Sequence, residues 1–242
     1  MCGRKIRMSE DKITTSSKTT YSLNARGRLL EAGVDVFGKH GFDAATTRAI
    51  AKKAGVNIAA IPYYFNGKEG LYHNVVSYIT EKLEFQVEST LVEIEKWAAE
   101  GKLNREEALV LLEKLLEKMI NFMVGSPEAL RFARIVLREQ LYPSSAYDII
   151  FNRIMAPMIN AISKMVATAT GEKSSRVASL RALTLIGQII VFRVARETMV
   201  RALNLEGYSS EEITEIREVI LEQTRTAIEA TYQLKKDGEP LQ

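Results

Sequence analysis

"TTRAIAKKAGVNIAAIPYYF", Thr46 to Phe65, decides how the whole chain is read. A threonine opens a short apolar-periodic run, "AGVN" interrupts it at Gly55, and a second short run starts at Asn57. Threonine before such a run and glycine after it are start and stop signals of a helix. Ile50, Ala51 and Ala54 share one face of the first run, and Ile58 and Ile61 one face of the second, so the two can close on each other. Helix, tight turn, helix is the spacing of a DNA-binding helix-turn-helix, whose second helix enters the major groove. The spacing alone fits an ordinary αα-hairpin equally well.

Three details favour DNA. Ala59 and Ala60 are small enough to let a backbone approach base edges and touch thymine methyls. Tyr63 and Tyr64 end the second helix with hydroxyls that can reach a phosphate or a base edge. Asn66, with Glu69 three residues on, is expected to cap the next helix as a capping-box pair, and its free amides beside Lys68 form a phosphate site. Pro62 is the discordant residue. With Asn57 as cap, its missing N–H would have served the Ile58 carbonyl, so the helix is expected to bend near its last turn.

Working outward, helical periodicity recurs throughout and strand alternation does not, which makes the chain all-α. Residues 1–20 lack periodicity and are rich in Ser, Thr and Lys, so a disordered basic tail is expected there, followed by a DNA-binding domain over 21–70 and a second domain over 71–242. Leu23, Leu30, Val34 and Phe37 line the helix before the quoted stretch, and Gly41 stops it. Leu71, Val75, Ile79, Leu83, Val87, Leu91 and Ile94 continue one stripe from Lys68 to about residue 99, a rod of roughly 45 Å. Later helices are expected near 104–124, 127–141, 145–169, 173–204 and 209–236, with Pro157 kinking the third.

Charge follows the same division. Residues 1–70 carry 12 Lys and Arg against 6 Asp and Glu; the remainder carries 21 against 24. A basic end on an acidic body is the asymmetry expected of a small module that meets a polyanion. A single cysteine, Cys2, leaves no disulfide framework. The basic residues Arg4, Lys5 and Arg7 are followed by "SEDKITTSSKTT" where a leader would be apolar, and the longest near-apolar run, Ala182 to Phe192, is too short to cross a bilayer. The expectation is a soluble cytoplasmic protein with no membrane partner.

The second domain holds adaptable apolar side chains in quantity. Met119, Phe122, Met123, Phe132, Met155, Met158, Met165 and Phe192 suit either a core or a cavity for a lipophilic ligand, which Gln188 and Arg134 could orient. At the C-terminus Ile213, Ile220, Ala227 and Leu234 repeat every seven residues, with Ile216 and Ala230 completing the seam. That seam serves either packing on the chain's own core or a partner's matching helix pair. His40 and His73 have no acidic or cysteine cluster around them, so no metal or cofactor is expected. "GEKSS" lacks the glycine spacing of a phosphate loop, and no nucleophile–base or paired-carboxylate signature points to an enzyme.

"ATTRAIAKKAGVNIAAIPYYFNGKEGLY" resembles the DNA-binding core of the TetR/AcrR family of transcriptional regulators over about residues 22–75. "LREQLYPSS", "MAPMI" and "GQIIVFRVARETMVR" resemble the C-terminal domain of its CecR-like branch. The resemblance implies a homodimer with one DNA-binding head per subunit on a palindromic operator, a small-molecule cavity in each C-terminal domain, and repression relieved by the effector. It places base-facing positions at Ala59, Ala60 and Tyr63 and backbone-facing ones at Thr47, Arg48, Tyr64 and Lys68, with Asn57 a helix cap first and a base contact second. Most members have tyrosine where this chain has Pro62, so no phosphate contact is carried over to that position. A DNA-binding dimer without a small-molecule switch is the competing expectation.

Overall fold

The computed structural model of the chain describes residues 24–238. The basic tail expected over residues 1–20 lies outside the described residues. Helix α1 (Ala25–Ala44) starts where the Asn24 side chain accepts the Gly27 N–H at 2.8 Å. Near its end Gly41 leaves helical geometry at φ 76, a conformation open to glycine at little cost. Three helices follow: α2 (Thr47–Ala54), α3 (Ala60–Phe65) and the rod α4 (Lys68–Ala99). The remainder comprises α5 (Arg105–Gly125), α6 (Pro127–Leu141), α7 (Tyr147–Ile150), a π-helical turn (Phe151–Met155), α8 (Ala156–Thr170), α9 (Ser175–Val194), α10 (Arg196–Ala202) and α11 (Ser210–Lys236). Among the described residues every regular element is helical.

Two expected helices are divided. The stretch expected as one helix over 145–169 contains the π-helical turn, in which the Ala156 N–H reaches back five residues to the Phe151 carbonyl. Pro157, the second residue of α8, offers no donor to the turn before it, and the wider turn absorbs that defect where a kink was expected. The stretch expected over 173–204 breaks at Ala195, with φ −98 and ψ 27. The Phe192 carbonyl, released from the helix there, accepts the Tyr208 hydroxyl at 3.2 Å, and the Arg196 guanidinium lies 5.5 Å above the Tyr208 ring.

The core comes in two clusters joined by α4. Leu71, Val75 and Ile79 of α4 belong to the first, with Leu29, Val34 and Phe37 of α1, Ile50 of α2, and Ile61 and Phe65 of α3. Phe132 and Ile135 of α6 and Ile150 of α7 close the same cluster. The second surrounds α5, whose Leu111, Leu112, Leu115, Leu116 and Ile120 are buried against α4, α8, α9 and α11. Each such side chain contributes roughly 1.5–3 kcal/mol by leaving water, so α5 anchors the C-terminal bundle.

In helix α11 two residues of the heptad seam, Ile216 and Ile220, belong to the chain's own core. The helix's buried residues are Ile216, Ile220, Thr224, Ile228 and Thr231, spaced by four, four, four and three. A straight helix turns every 3.6 residues, so a strict seven-residue repeat drifts off any one face. Ile216 and Ile220 therefore pack on the chain's own core and leave the expected partner seam. Ile213 and Leu234 are half-buried, and Ala227 is exposed.

Candidate nucleic-acid interface and ligand cavity

The α2–α3 unit is built by its caps. Thr46 Oγ1 accepts the Ala49 N–H at 3.1 Å, and Gly55 ends α2 in the left-handed region at φ 62. Asn57 Oδ1 accepts the Ala59 N–H at 2.9 Å, while its carbonyl accepts the Ala60 N–H at 3.0 Å. Helix α3 thus begins at Ala60, and Pro62 falls in its first turn, where N–H groups have no intrahelical partner to lose. The Ile58 carbonyl that proline was expected to strand accepts the Ile61 N–H at 3.1 Å. The bend expected at the helix end has no cause, because the proline sits at the helix start.

This later start rotates the faces. Ile61 and Phe65 are buried, Ala60 is half-buried against the head core, and Ile58 is 45% exposed. Ile58, expected inside, thus stands with Asn57, Ala59 and Tyr63, which is 80% exposed, on the outer surface. Tyr63 and Tyr64 meet edge to face, their centroids 4.8 Å apart. Arg48 is exposed and Thr47 half-buried at the start of α2.

The α3–α4 corner also differs from the capping box expected of Asn66 and Glu69. Asn66 ends α3 in the left-handed region at φ 57, and Gly67 is the residue that precedes α4. The corner is tight: a Cβ on Gly70 would lie 1.8 Å from the Phe65 carbonyl oxygen, so glycine alone fits. Lys68 Nζ donates to the Asp43 carbonyl at 3.1 Å and sits 4.7 Å above the Phe42 ring, which ties the start of α4 to the end of α1.

Helix α6 faces both the head and the interior of the bundle. On the head side Arg131 donates to Asp35 at 2.7 Å and to Glu31 at 2.8 Å, both on α1, and Lys53 of α2 pairs with Asp35 at 3.0 Å. Burial alone would raise the Asp35 carboxyl, but hydrogen bonds from Arg131 and Lys53 outweigh it and hold the pKa below the usual carboxylate value. At the other end of α6 the buried Glu139 accepts the Tyr72 hydroxyl of α4 at 2.6 Å and the Ser144 N–H at 3.0 Å. Burial and then that bond push the Tyr72 phenol well above its ordinary value.

On its opposite side α6 walls a cavity of about 370 Å³ closed by α4, α5, the π-helical turn, α8 and α9. Met119, Phe122, Met123, Phe132, Met155 and Met158 all line it. Met165 is buried in the second core cluster instead, and three further expected residues do not line the cavity. Arg134 is exposed and packs beside Gly38 of α1, the Gln188 amide oxygen is buried away from the cavity, and Phe192 packs on the second core cluster. The residue missed is Arg193, 7% exposed on the cavity wall. It donates to the Met123, Val124 and Ser126 carbonyls, the latter two at 3.1 and 3.2 Å, and so closes the end of α5. Burial and the neighbouring Arg196 pull its pKa below that of a free guanidinium. A lone cation inside the apolar run "GQIIVFRV" was the available signal.

The chain matches the family model for the C-terminal domain of the HTH-type transcriptional dual regulator CecR over residues 108–231, and the model for bacterial regulatory proteins of the tetR family over residues 29–75. It is 29% identical over 209 residues to the HTH-type transcriptional dual regulator CecR of Shigella flexneri, covering 86% of this chain and 93% of that protein. Among solved structures, AibR in complex with isovaleryl coenzyme A and operator DNA aligns with a TM-score of 0.60 at 13% identity, over 82% of this chain and 96% of that one. FadR from Bacillus subtilis in complex with stearoyl-CoA aligns with a TM-score of 0.54 at 18% identity, over 81% and 95%. At these identities the structural likeness concerns the fold.

Proposed function

Because the chain belongs to the TetR family of transcriptional regulators, with a C-terminal domain of the CecR type, we propose that it is a homodimeric repressor released from a palindromic operator by a small lipophilic effector. Residues 24–70 form the DNA-binding head in this reading, and residues 71–238 bind the effector and the second subunit. The base-facing surface is Asn57, Ile58, Ala59 and Tyr63, with Ala60 close behind. Thr47, Arg48, Tyr64 and Lys68 anchor the phosphates. Ile58 adds an apolar group suited to a thymine methyl. No catalytic role is proposed, and the site of action is the cytoplasm, where the operator lies.

One observation carries the effector: α6 walls the cavity on one side, and on the other holds α1 of the head through Arg131 and the rod α4 through Glu139. An occupant that displaces α6 shifts α1 and α4, and two heads that change their separation lose simultaneous contact with both half-sites. The apolar wall supports a lipophilic ligand, as do the acyl-CoA complexes of AibR and FadR. The test is to select an operator from random duplexes and titrate the complex with acyl ligands. Ala133 lies on the cavity wall, so Ala133→Phe fills space there and is expected to keep operator binding while weakening release by about tenfold or more. An operator complex that no apolar ligand loosens would instead favour a DNA-binding dimer without a switch.

The dimer surface we assign to α9. By length and composition this helix is apolar enough to cross a bilayer. It packs on α8 and α5 with one side, and leaves Leu180, Leu183, Val191 and Val194 exposed in a stripe with Thr184 and Gly187, of which Leu183, Gly187 and Val194 also edge the cavity. A second copy that brings the same stripe removes it from water. Leu180→Glu with Val191→Glu is expected to yield monomers in sedimentation, and to weaken operator binding by about 100-fold as linked half-site binding is lost. A double variant that stays dimeric would refute this assignment.

A further inference from the structure

The cavity does not end at an apolar wall. Its polar side chains are Gln86, Lys118, Gln140 and Arg193: two amides and two cations, with no carboxylate. Gln86, Lys118 and Phe122 are shared with an open groove of about 760 Å³, so the two spaces adjoin across those three side chains. The groove is about half polar, with Phe122 and Ile213 on its wall, where the cavity is mostly apolar. Asn121, Ser126, Ser210 and Thr214 line it with Lys118 and Arg217, and Glu128 is the one acidic residue on its wall. Lys118 Nζ donates to Ser89 Oγ at 2.6 Å. Among the described residues no carboxylate lies within ion-pair distance of Lys118 or Arg217.

Two cations beside an apolar chamber, neither in an ion pair although Glu128 shares the groove, favour a ligand that brings its own negative charge. We propose that the effector is an anionic amphiphile, its apolar tail in the cavity and its charged head group in the groove against Lys118 and Arg217. A carboxylate and a phosphate-bearing head share the chemistry that these two residues recognise. The inference rests on the lipophilic-effector reading and adds to it the sign of the head group and its place. Gln86 and Phe122, at the boundary, mark where tail gives way to head.

The test uses the full chain and three probes of equal tail length: dodecanoate, dodecanoyl-CoA and uncharged dodecanol, each titrated by calorimetry. Dodecanoate, dodecanoyl-CoA or both are expected to bind about tenfold or more tighter than dodecanol. Lys118→Met and Arg217→Met are each expected to cost the anionic probe about tenfold and dodecanol less than about twofold. Arg217→Lys should recover part of the loss, and melting curves check that each variant is folded. Which anionic probe binds tighter separates a carboxylate head from a phosphate-bearing one. Equal binding of all three probes, or variants that weaken dodecanol as much as dodecanoate, would overturn the head-group assignment and leave the effector reading standing. No binding by any probe would overturn the effector reading itself.

Discussion

Replacing Ala59 by glutamate is expected to cut operator affinity by roughly 100- to 1,000-fold, about 3–4 kcal/mol, and to leave the melting temperature nearly unchanged. The fold should tolerate it because Ala59 is exposed, and its side chain makes no capping bond at the start of α3. An acidic group beside a helix N-terminus is itself mildly favourable. On DNA the change is severe for two reasons. The methyl group lets the α3 backbone approach the base edges, and a carboxylate would fill that space and face the phosphates of both strands. Fluorescence anisotropy on the selected operator measures the loss, and Ala59→Ser serves as the small, uncharged control. A loss below about fivefold would place the start of α3 outside the groove.

The second large effect concerns stability. Arg193→Ala is expected to destabilise the protein by about 3–5 kcal/mol, which in a chain of this length lowers the melting temperature by roughly 10 °C. The guanidinium closes the end of α5 by donating to the Met123, Val124 and Ser126 carbonyls. Alanine leaves those acceptors without a donor and opens a hole at the cavity wall. Lysine restores charge but presents a point donor in place of a planar fork, so Arg193→Lys should recover a minor part of the loss. Chemical denaturation of both variants at fixed protein concentration separates this effect from any change in dimer affinity. A loss under about 1 kcal/mol would mean that the carbonyls find other partners and that Arg193 has no anchoring role.

Much of this molecule is legible one residue at a time. The caps at Thr46 and Gly55, the stripe from Leu71 to Ile94 and the breaks at Gly125 to Pro127 and Gly171 place α2, α4, α5, α6 and the end of α8 within a residue or two. These are local signals, since a cap or a periodic face is fixed by residues three or four positions away. Methionine was likewise informative, because its unbranched, flexible side chain gathers where a cavity needs an adaptable wall, as Met119, Met123, Met155 and Met158 do.

Most of what failed depended on partners distant in the chain, with the local turn at Asn57 the exception. Ile58 looked like core because Ile61 did, yet the turn at Asn57 delays α3 to Ala60 and swings Ile58 outward. Ile216 and Ile220 fit a partner's seam as well as the chain's own core, and packing against α5 and α8 settled the choice. Arg193 reads as an odd cation in an apolar helix until the end of α5, about seventy residues away in sequence, supplies three carbonyls. The sequence alone determined the all-helical class, the helix-turn-helix and most helix boundaries, because each rests on contacts within a helical turn. Which face of α11 is buried, which helix walls the cavity and where its cations stand were decided by the tertiary structure, because they depend on side chains that only folding brings together.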